Sequence, residues 1–368
     1  MRSITGSLTS RLSRWVGSDD VATAEAAPAA SFRELVEEVA QLSYLNKDHL
    51  LFFRGQAQDY RNKAGASTIY PAIYRGERVP KEQLALGFDV LESASARLCD
   101  ALQAQGIEGH RDVRRRRYIQ WSILQHYEVC ATPLLDLTQS LLVACSFACV
   151  DSDAADPIVF AFGLPYVTNR VSVNSEHDLV NIRLLSICPP EALRPYFQEG
   201  YLAGTDEVTT QYESKSELDF NNRLIAKFRL IGGSKFWGGG FRALPREVLY
   251  PPRDAVQDIC HGLRKDLSTG VTAGRIGAFL KEWNELEALL VSRARGHKGE
   301  RKVYSVREAL QVLRSANVIP EDIAGEMDYL RDLRNNVVHR PDRVEAGAVL
   351  RGTEELRELL GQMRQWSV

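Results

Sequence analysis

The stretch QHYEVCATPLLDLTQSLLVACSFAC, residues 125–149, joins a strong apolar run to a short polar island, and it decides the fold around it. The island is formed by Asp136, Thr138, Gln139 and Ser140. Asp136, Thr138 and Ser140 stand at every second position, as on a half-buried strand, so their side chains share one face. Residues 141–149 then have the small apolar composition of a buried helix, which Thr138 or Ser140 would cap. Capping explains one hydroxyl, whereas three aligned polar groups indicate a binding site.

A second candidate lies upstream, where an apolar segment ends in FFRGQ, residues 52–56. Arg54 would end a strand, and Gly55 would let backbone approach whatever Arg54 holds. An arginine in this position can also pair with a structural carboxylate. A buried ion pair between Arg54 and Asp136 is therefore the alternative to a ligand site. The expected pocket also takes in two residues at the start of the longer stretch, His126 and Tyr127.

The length, net charge and cysteine content of the chain limit the possible classes of protein. A chain of 368 residues exceeds the usual size of one core, which predicts two domains and a tail. No window approaches the ~18 uncharged apolar residues of a transmembrane helix. A formal net charge of −2 argues against nucleic-acid binding through bulk basicity. The six cysteines form no Cys-x-x-Cys pair and no His cluster accompanies them, so we expect free thiols in the cytoplasm and no metal cofactor.

Three segments differ in pattern. Residues 1–30 are rich in Ser, Thr, Ala and Gly, which predicts a tail that is disordered or forms an amphipathic helix touching a membrane or a partner. Residues 31–268 open on SFRE, the form of a capping box, and mix strands and helices irregularly, which predicts an α+β domain. Helical periodicity over residues 272–368 predicts a small all-α four-helix bundle. The expected strands include 157–165, 178–187, 222–233 and the start of 246–266, and the expected helices are 81–104, 111–127, 274–296, 305–316, 320–339 and 343–366.

The order and spacing of three motifs, FFRGQ, YPAIYRG (70–76) and QHYEVCATPLLDLTQSLLVACSFA, resembles the FRG domain, a bacterial module named for its Phe-Arg-Gly motif. The second motif of that family runs Gln-His-Tyr-Gly and then Pro-Thr-Arg-Leu-Leu-Asp-Trp-Thr. The resemblance covers roughly residues 32–262. This chain differs at Glu128 in place of Gly, Pro133 and Leu134 in place of Thr-Arg, Leu137 in place of Trp, and Lys227 in place of Gln at the end of a late segment that begins at Arg223.

The same order of elements is similar to that of ADP-ribosyltransferases, in which a first strand ends in Arg or His followed by Gly and holds NAD. The resemblance implies a mixed ADP-ribosyltransferase-like sheet with flanking helices, in which Arg54 holds the phosphates or ribose of NAD and Thr138 or Ser140 binds its ribose or amide. The implied cofactor-binding residues are Arg54, Gly55, His126, Tyr127 and Asp136. Cleavage of the nicotinamide bond creates an oxocarbenium-like cation that needs a carboxylate. The candidates for it are Glu213, Glu217 and Glu247, and a non-catalytic ligand pocket is the alternative.

Near the C-terminus, YLRDLRNNVVHRP (329–341) resembles the Arg-Asn-x-x-x-His motif of HEPN domains, helical modules that often dimerise and, in active members, cut RNA without metal. The resemblance implies a homodimer through the bundle. It also implies that His339 acts as general acid or base on the ribose 2′-hydroxyl, Arg334 stabilises the phosphorane and Asn335 orients the phosphate. A structural role for these residues at a helix end is the alternative.

Both resemblances imply a cytoplasmic bacterial effector, antiphage or toxin-like, that consumes NAD. Its target would be RNA or a protein, and its trigger a phage-derived component. One alternative is a HEPN-type metal-independent ribonuclease whose FRG domain senses a ligand or phage component. The other alternative is a non-enzymatic interaction protein.

Overall fold

The computed structural model describes residues 1–75, 81–150, 157–205, 212, 214–269, 273–298, 305–316, 318–339, 344 and 346–365. The chain divides into two units, Met1–His261 and Gly262–Val368. In these described residues, no helix has the length and apolarity to cross a membrane.

In the first unit, eight strands of the described residues form one mixed sheet in the order β1-β8-β4-β2-β3-β7-β6-β5. β1 is parallel to β8, and the other neighbours are antiparallel. The predicted mixed sheet with flanking helices is therefore confirmed. The strands are β1 Ala27–Ala29, β2 Leu50–Gln56, β3 Leu135–Thr138, β4 Ile158–Leu164, β5 Val171–Asn174, β6 Leu179–Arg183, β7 Gly200–Gly204 and β8 Leu224–Leu230.

The helices of this unit precede, separate and follow those strands in the sequence. They are α1 Ser10–Val16, α2 Phe32–Leu45, α3 Lys81–Ala104, α4 His110–Arg115, α5 Arg117–His126, α6 Leu141–Cys149, α7 Arg194–Phe197, α8 Arg246–Leu249 and α9 Ala255–Thr269, the last running past the boundary between the units. The Ser31 hydroxyl caps α2 by accepting from Glu34 N. The Glu34 carboxylate accepts from Ala30 N, so the predicted capping box uses a neighbouring backbone donor.

β4 is an interior strand of the sheet, between β8 and β2. All seven of its residues are buried, and they alternate between two apolar clusters, one on each face of the sheet. Val159 and Ala161 pack with Phe53 and helix α6, while Phe160 and Phe162 pack on the opposite face. This interior position agrees with the uninterrupted apolar sequence of β4, which a strand exposed on one face would not have.

The first 30 residues differ from the predicted tail, because the structure places them within the sheet unit. α1 buries Leu12 against the cluster that contains Phe53, and the small residues Ala27 and Ala29 let β1 pair closely with β8. The helical spacing of apolar residues is present, but it faces the protein's own core. A composition typical of linkers serves here for close packing.

Two further expectations need correction. The predicted helix 111–127 is broken at Arg116, whose backbone is extended, and Gln120 Nε2 donates to the carbonyl oxygens of Val113 and Arg114 at the end of α4. The segment expected to begin as a strand near Arg246 forms the short helix α8 instead.

The second unit contains α10 Ala273–Lys298, α11 Val306–Ser315, α12 Glu321–His339 and α13 Ala346–Gln365. α10 contacts each of the other three helices. Its buried residues Phe279, Trp283, Leu286 and Leu290 recur at helical spacing and form one apolar stripe. The helices predicted from periodicity are therefore present in the described residues.

Candidate functional site

A cavity of about 190 Å³ lies where β2, β3 and the end of α5 meet. Phe53 of β2 pairs with Thr138 of β3, so the strand that carries Arg54 lies directly beside the polar island although 82 residues separate Arg54 from Asp136. Arg54, Gly55, His126, Asp136 and Thr138 all line this cavity. The two sequence motifs therefore meet at one site, as the shared polar face predicts.

Arg54 is anchored through the backbone of the island. Its Nη1 donates to the Asp136 carbonyl oxygen at 2.8 Å, while its buried Nε has no hydrogen-bond partner in the described part of the chain. Burial lowers the pKa of Arg54, and the charge of Asp136 opposes this effect. The Asp136 carboxylate bonds to Gln125 and His126 instead of to Arg54. The structure therefore differs from the alternative of a direct Arg54–Asp136 ion pair.

The Asp136 carboxylate is held by two neighbours on α5. Gln125 Nε2 donates to Oδ2 at 2.7 Å, and His126 Nδ1 lies 3.0 Å from Oδ1. Burial raises the pKa of Asp136, but the hydrogen bond and charge of His126, the charge of Arg54 and the hydrogen bond of Gln125 outweigh it and lower the pKa to about 2. Asp136 is therefore ionised at neutral pH and acts only as an acceptor.

Sequence reasoning missed Arg194, which enters the cavity from α7. Its Nη2 donates to Glu128 Oε1 at 2.8 Å, and its guanidinium carbon lies 4.5 Å from the centre of the Tyr250 ring. The Arg194 Nε is buried, and none of the described residues bonds to it. The segment EALRPYF carries no pattern that would have marked this arginine.

Glu128 also lines the cavity, and its backbone explains a departure from the resembled motif. Its φ of 56° lies in the left-handed region that favours glycine, the residue usual at this motif position. The side chain is 57% exposed despite its bond to Arg194, so it can reach a ligand in the cavity. The sequence marks Glu128 only as a departure from the motif, and its place in the cavity was not predicted.

Two expected site residues have structural bonds of their own. Ser140 is the N-cap of α6, where its hydroxyl accepts from Val143 N, and it does not line the cavity. Tyr127 donates its hydroxyl proton to Asp254 Oδ2 at 2.6 Å and lies outside the lining. Burial and this hydrogen bond raise the pKa of Tyr127. Neither residue is among those that line the cavity, and the binding roles expected for them stay predictions.

Thr138 and Gly55 line the cavity and are also constrained by their neighbours. The Thr138 hydroxyl donates to the Glu199 carbonyl oxygen at 3.2 Å and accepts from Ser140 N at 3.0 Å. A Cβ on Gly55 would lie 1.9 Å from the Ala144 carbonyl oxygen of α6. Gly55 therefore lets α6 pack directly on β2, which differs from the predicted approach to a ligand.

The glutamates expected to complete an NAD site lie elsewhere. Glu217 accepts from Ser214 N in a short capped turn, and Glu247 is exposed on α8. Neither lines the cavity, and Glu213 lies outside the described residues. Among the described lining residues, the carboxylates are those of Glu128 and Asp136.

The late segment is part of the interior of the sheet unit. Arg223 is fully buried and donates through Nε to the Gly163 carbonyl oxygen at 2.8 Å. Lys227 Nζ bonds to Ser67 Oγ at 2.7 Å and to Asp59 at 3.2 Å. These cations hold loops against the sheet, and neither of them lines the cavity.

In the second unit, the three residues of the predicted ribonuclease motif lie at the end of α12. Arg334 is half-buried and its Nη1 donates to Asn335 Oδ1 at 3.2 Å. Asn335 and His339 are exposed and stand one helical turn apart. The arrangement leaves the Asn335 and His339 side chains on the surface of this unit.

Comparison with known proteins identifies one segment. Searches of curated proteins and of solved structures found no match to the chain. Residues 49–157 match the family model of the FRG domain, so an FRG domain is found in the segment that carries Arg54 and the polar island.

Proposed function

We propose that the sheet unit binds NAD in this cavity and breaks the bond between nicotinamide and ribose, as an ADP-ribosyltransferase or NAD-consuming enzyme. One observation carries the proposal: Arg54 Nε and Arg194 Nε are buried N–H donors with no hydrogen-bond partner among the described residues, and both arginines line one cavity. Each unsatisfied polar atom costs about 1–3 kcal/mol. A ligand with several oxygen atoms would satisfy them.

The charges favour a phosphorylated ligand. Arginine binds phosphate through two parallel N–H donors, and Arg54 and Arg194 each bring a guanidinium to the cavity. Tyr250 adds an aromatic ring beside Arg194. A nucleotide offers both phosphate oxygens and a flat ring, so its chemistry fits this lining.

The volume limits how much of the ligand is enclosed. At about 190 Å³ the cavity is smaller than the roughly 300–1,000 Å³ of sites that enclose drug-sized ligands. We therefore expect one end of the dinucleotide, the nicotinamide riboside with its phosphate, to enter. The adenosine end would lie at the mouth.

Bond cleavage requires stabilisation of a developing positive charge on the ribose. When the C1′–N bond breaks, its electron pair stays on nicotinamide, which leaves as a neutral molecule, and the ribose becomes oxocarbenium-like. The Asp136 carboxylate is occupied by Gln125 and His126. Glu128, the other lining carboxylate among the described residues, bonds to Arg194 but its side chain is 57% exposed, and it is the one that we propose for this stabilisation.

The test is nicotinamide release from labelled NAD by the pure full-length protein. We expect release by the wild type and its loss in Arg54→Ala, because the cavity loses a guanidinium that donates hydrogen bonds to the phosphate. Arg33→Ala is the matched control, since Arg33 is exposed on α2. Equal release by the wild type and Arg54→Ala, or none by the wild type, contradicts the proposal.

A second candidate function is RNA cleavage by α12, favoured by one observation. Asn335 and His339 are exposed one turn apart at the end of α12, and Arg334 is bonded to Asn335. Fragmentation of tRNA by the wild type and its loss in His339→Ala would support a ribonuclease. Intact tRNA in both would exclude it.

For the second unit we propose homodimerisation, and for the whole chain an antiphage or toxin-like role with a phage-derived trigger. The support is the resemblance of the α12 sequence to HEPN modules and of residues 49–157 to the FRG domain.

Sedimentation of the full chain tests homodimerisation, with a dimer expected. Growth of expressing cells during phage infection tests the second proposal, with protection expected to be lost in Arg54→Ala.

A further inference from the structure

A line of hydrogen-bonded side chains ends at His126 on the cavity wall. Thr132 Oγ1 donates to Gln125 Oε1 at 2.5 Å, and Gln125 Nε2 donates to Asp136 Oδ2 at 2.7 Å. The other carboxylate oxygen of Asp136 lies 3.0 Å from His126 Nδ1. Each member is therefore fixed by the one before it.

This arrangement fixes the tautomer of the imidazole. Asp136 is ionised at neutral pH, so its oxygens only accept, and His126 Nδ1 must carry the proton that it donates. Whenever the ring is neutral, Nε2 therefore holds its lone pair. Within the residues that the structure describes, this Nε2 has no hydrogen-bond partner.

The same aspartate positions the base and the cation of the site. The side chain of Asp136 holds His126, and its backbone carbonyl oxygen holds Arg54 Nη1 at 2.8 Å. A ligand anchored by Arg54 is thus placed beside the imidazole. Gly200 of β7 packs on the ring, since a Cβ there would lie 3.3 Å from His126 Cε1.

We infer that His126 is the general base of the site and that it takes the proton of the acceptor that attacks the ribose. The inference rests on the proposed cleavage of NAD. Asp136 is the positioning residue that holds the ring and stabilises the imidazolium. This role differs from a binding role, because it acts on the acceptor and leaves the affinity for NAD unchanged.

The step balances. The C1′–N bond breaks with its electron pair on nicotinamide, and the oxygen of water or of an acceptor hydroxyl forms a bond to C1′. As this bond forms, the proton of that oxygen passes to His126 Nε2. The imidazolium then returns the proton to solvent, so the net products from water are ADP-ribose, nicotinamide and one proton.

The variant His126→Asn tests the inference, because its amide N–H can still reach Asp136 while it lacks a base. We expect NAD hydrolysis to fall about 100-fold or more, the range of general base catalysis. The dissociation constant for NAD should stay within about twofold. His261→Asn is the control, since His261 is exposed on α9.

Added azide gives a second measurement that a structural role would not change. Azide is an anionic nucleophile with no proton to lose, so it needs no base. We expect it to restore nicotinamide release in His126→Asn and in Asp136→Asn, with ADP-ribosyl azide detected by mass spectrometry.

The outcomes separate the inference from the function on which it rests. Absence of nicotinamide release by the wild type overturns both. If the wild type is active, an unchanged rate in His126→Asn overturns the inference alone. Loss of NAD binding, or a loss of rate that azide does not restore, also overturns it.

Discussion

The change Gly55→Ala tests the packing that builds the cavity. Gly55 lies on β2 beside Arg54, and a Cβ there would stand 1.9 Å from the Ala144 carbonyl oxygen and 2.7 Å from Ala148 N. Both are backbone atoms of α6, so no side-chain rotation can relieve the overlap. The helix must move away from the strand.

The size of the effect follows from these distances. Ordinary contact begins near 3.4 Å, so α6 has to move by about 1.5 Å from a sheet face on which Ala144 and Ala148 are fully buried. Overpacking of a core costs typically about 1–3 kcal/mol, and a clash with rigid backbone belongs at the upper end. For a unit of this size, about 3 kcal/mol lowers Tm by roughly 6–12 °C.

Thermal unfolding followed by circular dichroism measures this shift. Gly239→Ala is the matched control in the same unit, because nothing lies within 4 Å of its added Cβ, and we expect it to change stability by less than about 0.5 kcal/mol. A Gly55→Ala protein as stable as the wild type would refute the reasoning. It would mean that α6 does not rest on β2.

Three further changes probe individual side chains. Glu128→Gly relieves a non-glycine residue in the left-handed region and removes a largely exposed ion pair with Arg194. We expect the free energy of unfolding to rise by up to about 1 kcal/mol, because the strain outweighs the exposed ion pair. A fall of that size would contradict the prediction. Tyr127→Phe removes the buried bond to Asp254, so we expect a loss of about 1–3 kcal/mol with nicotinamide release unchanged; lost release at an unchanged Tm would refute the structural role. The pKa of Asp136 is lowered from 3.8 to about 2, so its ionised carboxylate stabilises the fold above about pH 4, and this stabilisation disappears as the pH falls through 2. Compared with Asp136→Asn, the wild type should gain about 1 kcal/mol in free energy of unfolding at neutral pH, since solvent partly screens the carboxylate. A difference between the two proteins that does not change with pH would contradict this.

Local sequence patterns were enough to predict the meeting of Arg54 with the polar island. An apolar strand ending in arginine and an alternating polar face both report which side of a sheet a residue occupies. β4 was predictable for the same reason, because its apolar run is unbroken. These features depend on residues close together in the chain.

Features that depend on distant partners were not predictable. β1 is a three-residue strand of Ala-Pro-Ala whose pairing with β8 joins residues about 200 apart, and its composition suggests a linker. Arg194 reaches the cavity from the four-residue helix α7, which is too short for periodicity to reveal its orientation. The true neighbour of Gly55 is the backbone of α6, and sequence does not show which segment will approach a glycine.

Calorimetric titration of the full-length protein with NAD tests the central claim most directly. The account predicts saturable binding that Arg54→Ala abolishes and Arg33→Ala leaves intact, because the unpartnered donors of the cavity are what NAD satisfies. No binding by the wild type, or equal binding by Arg54→Ala, would contradict it.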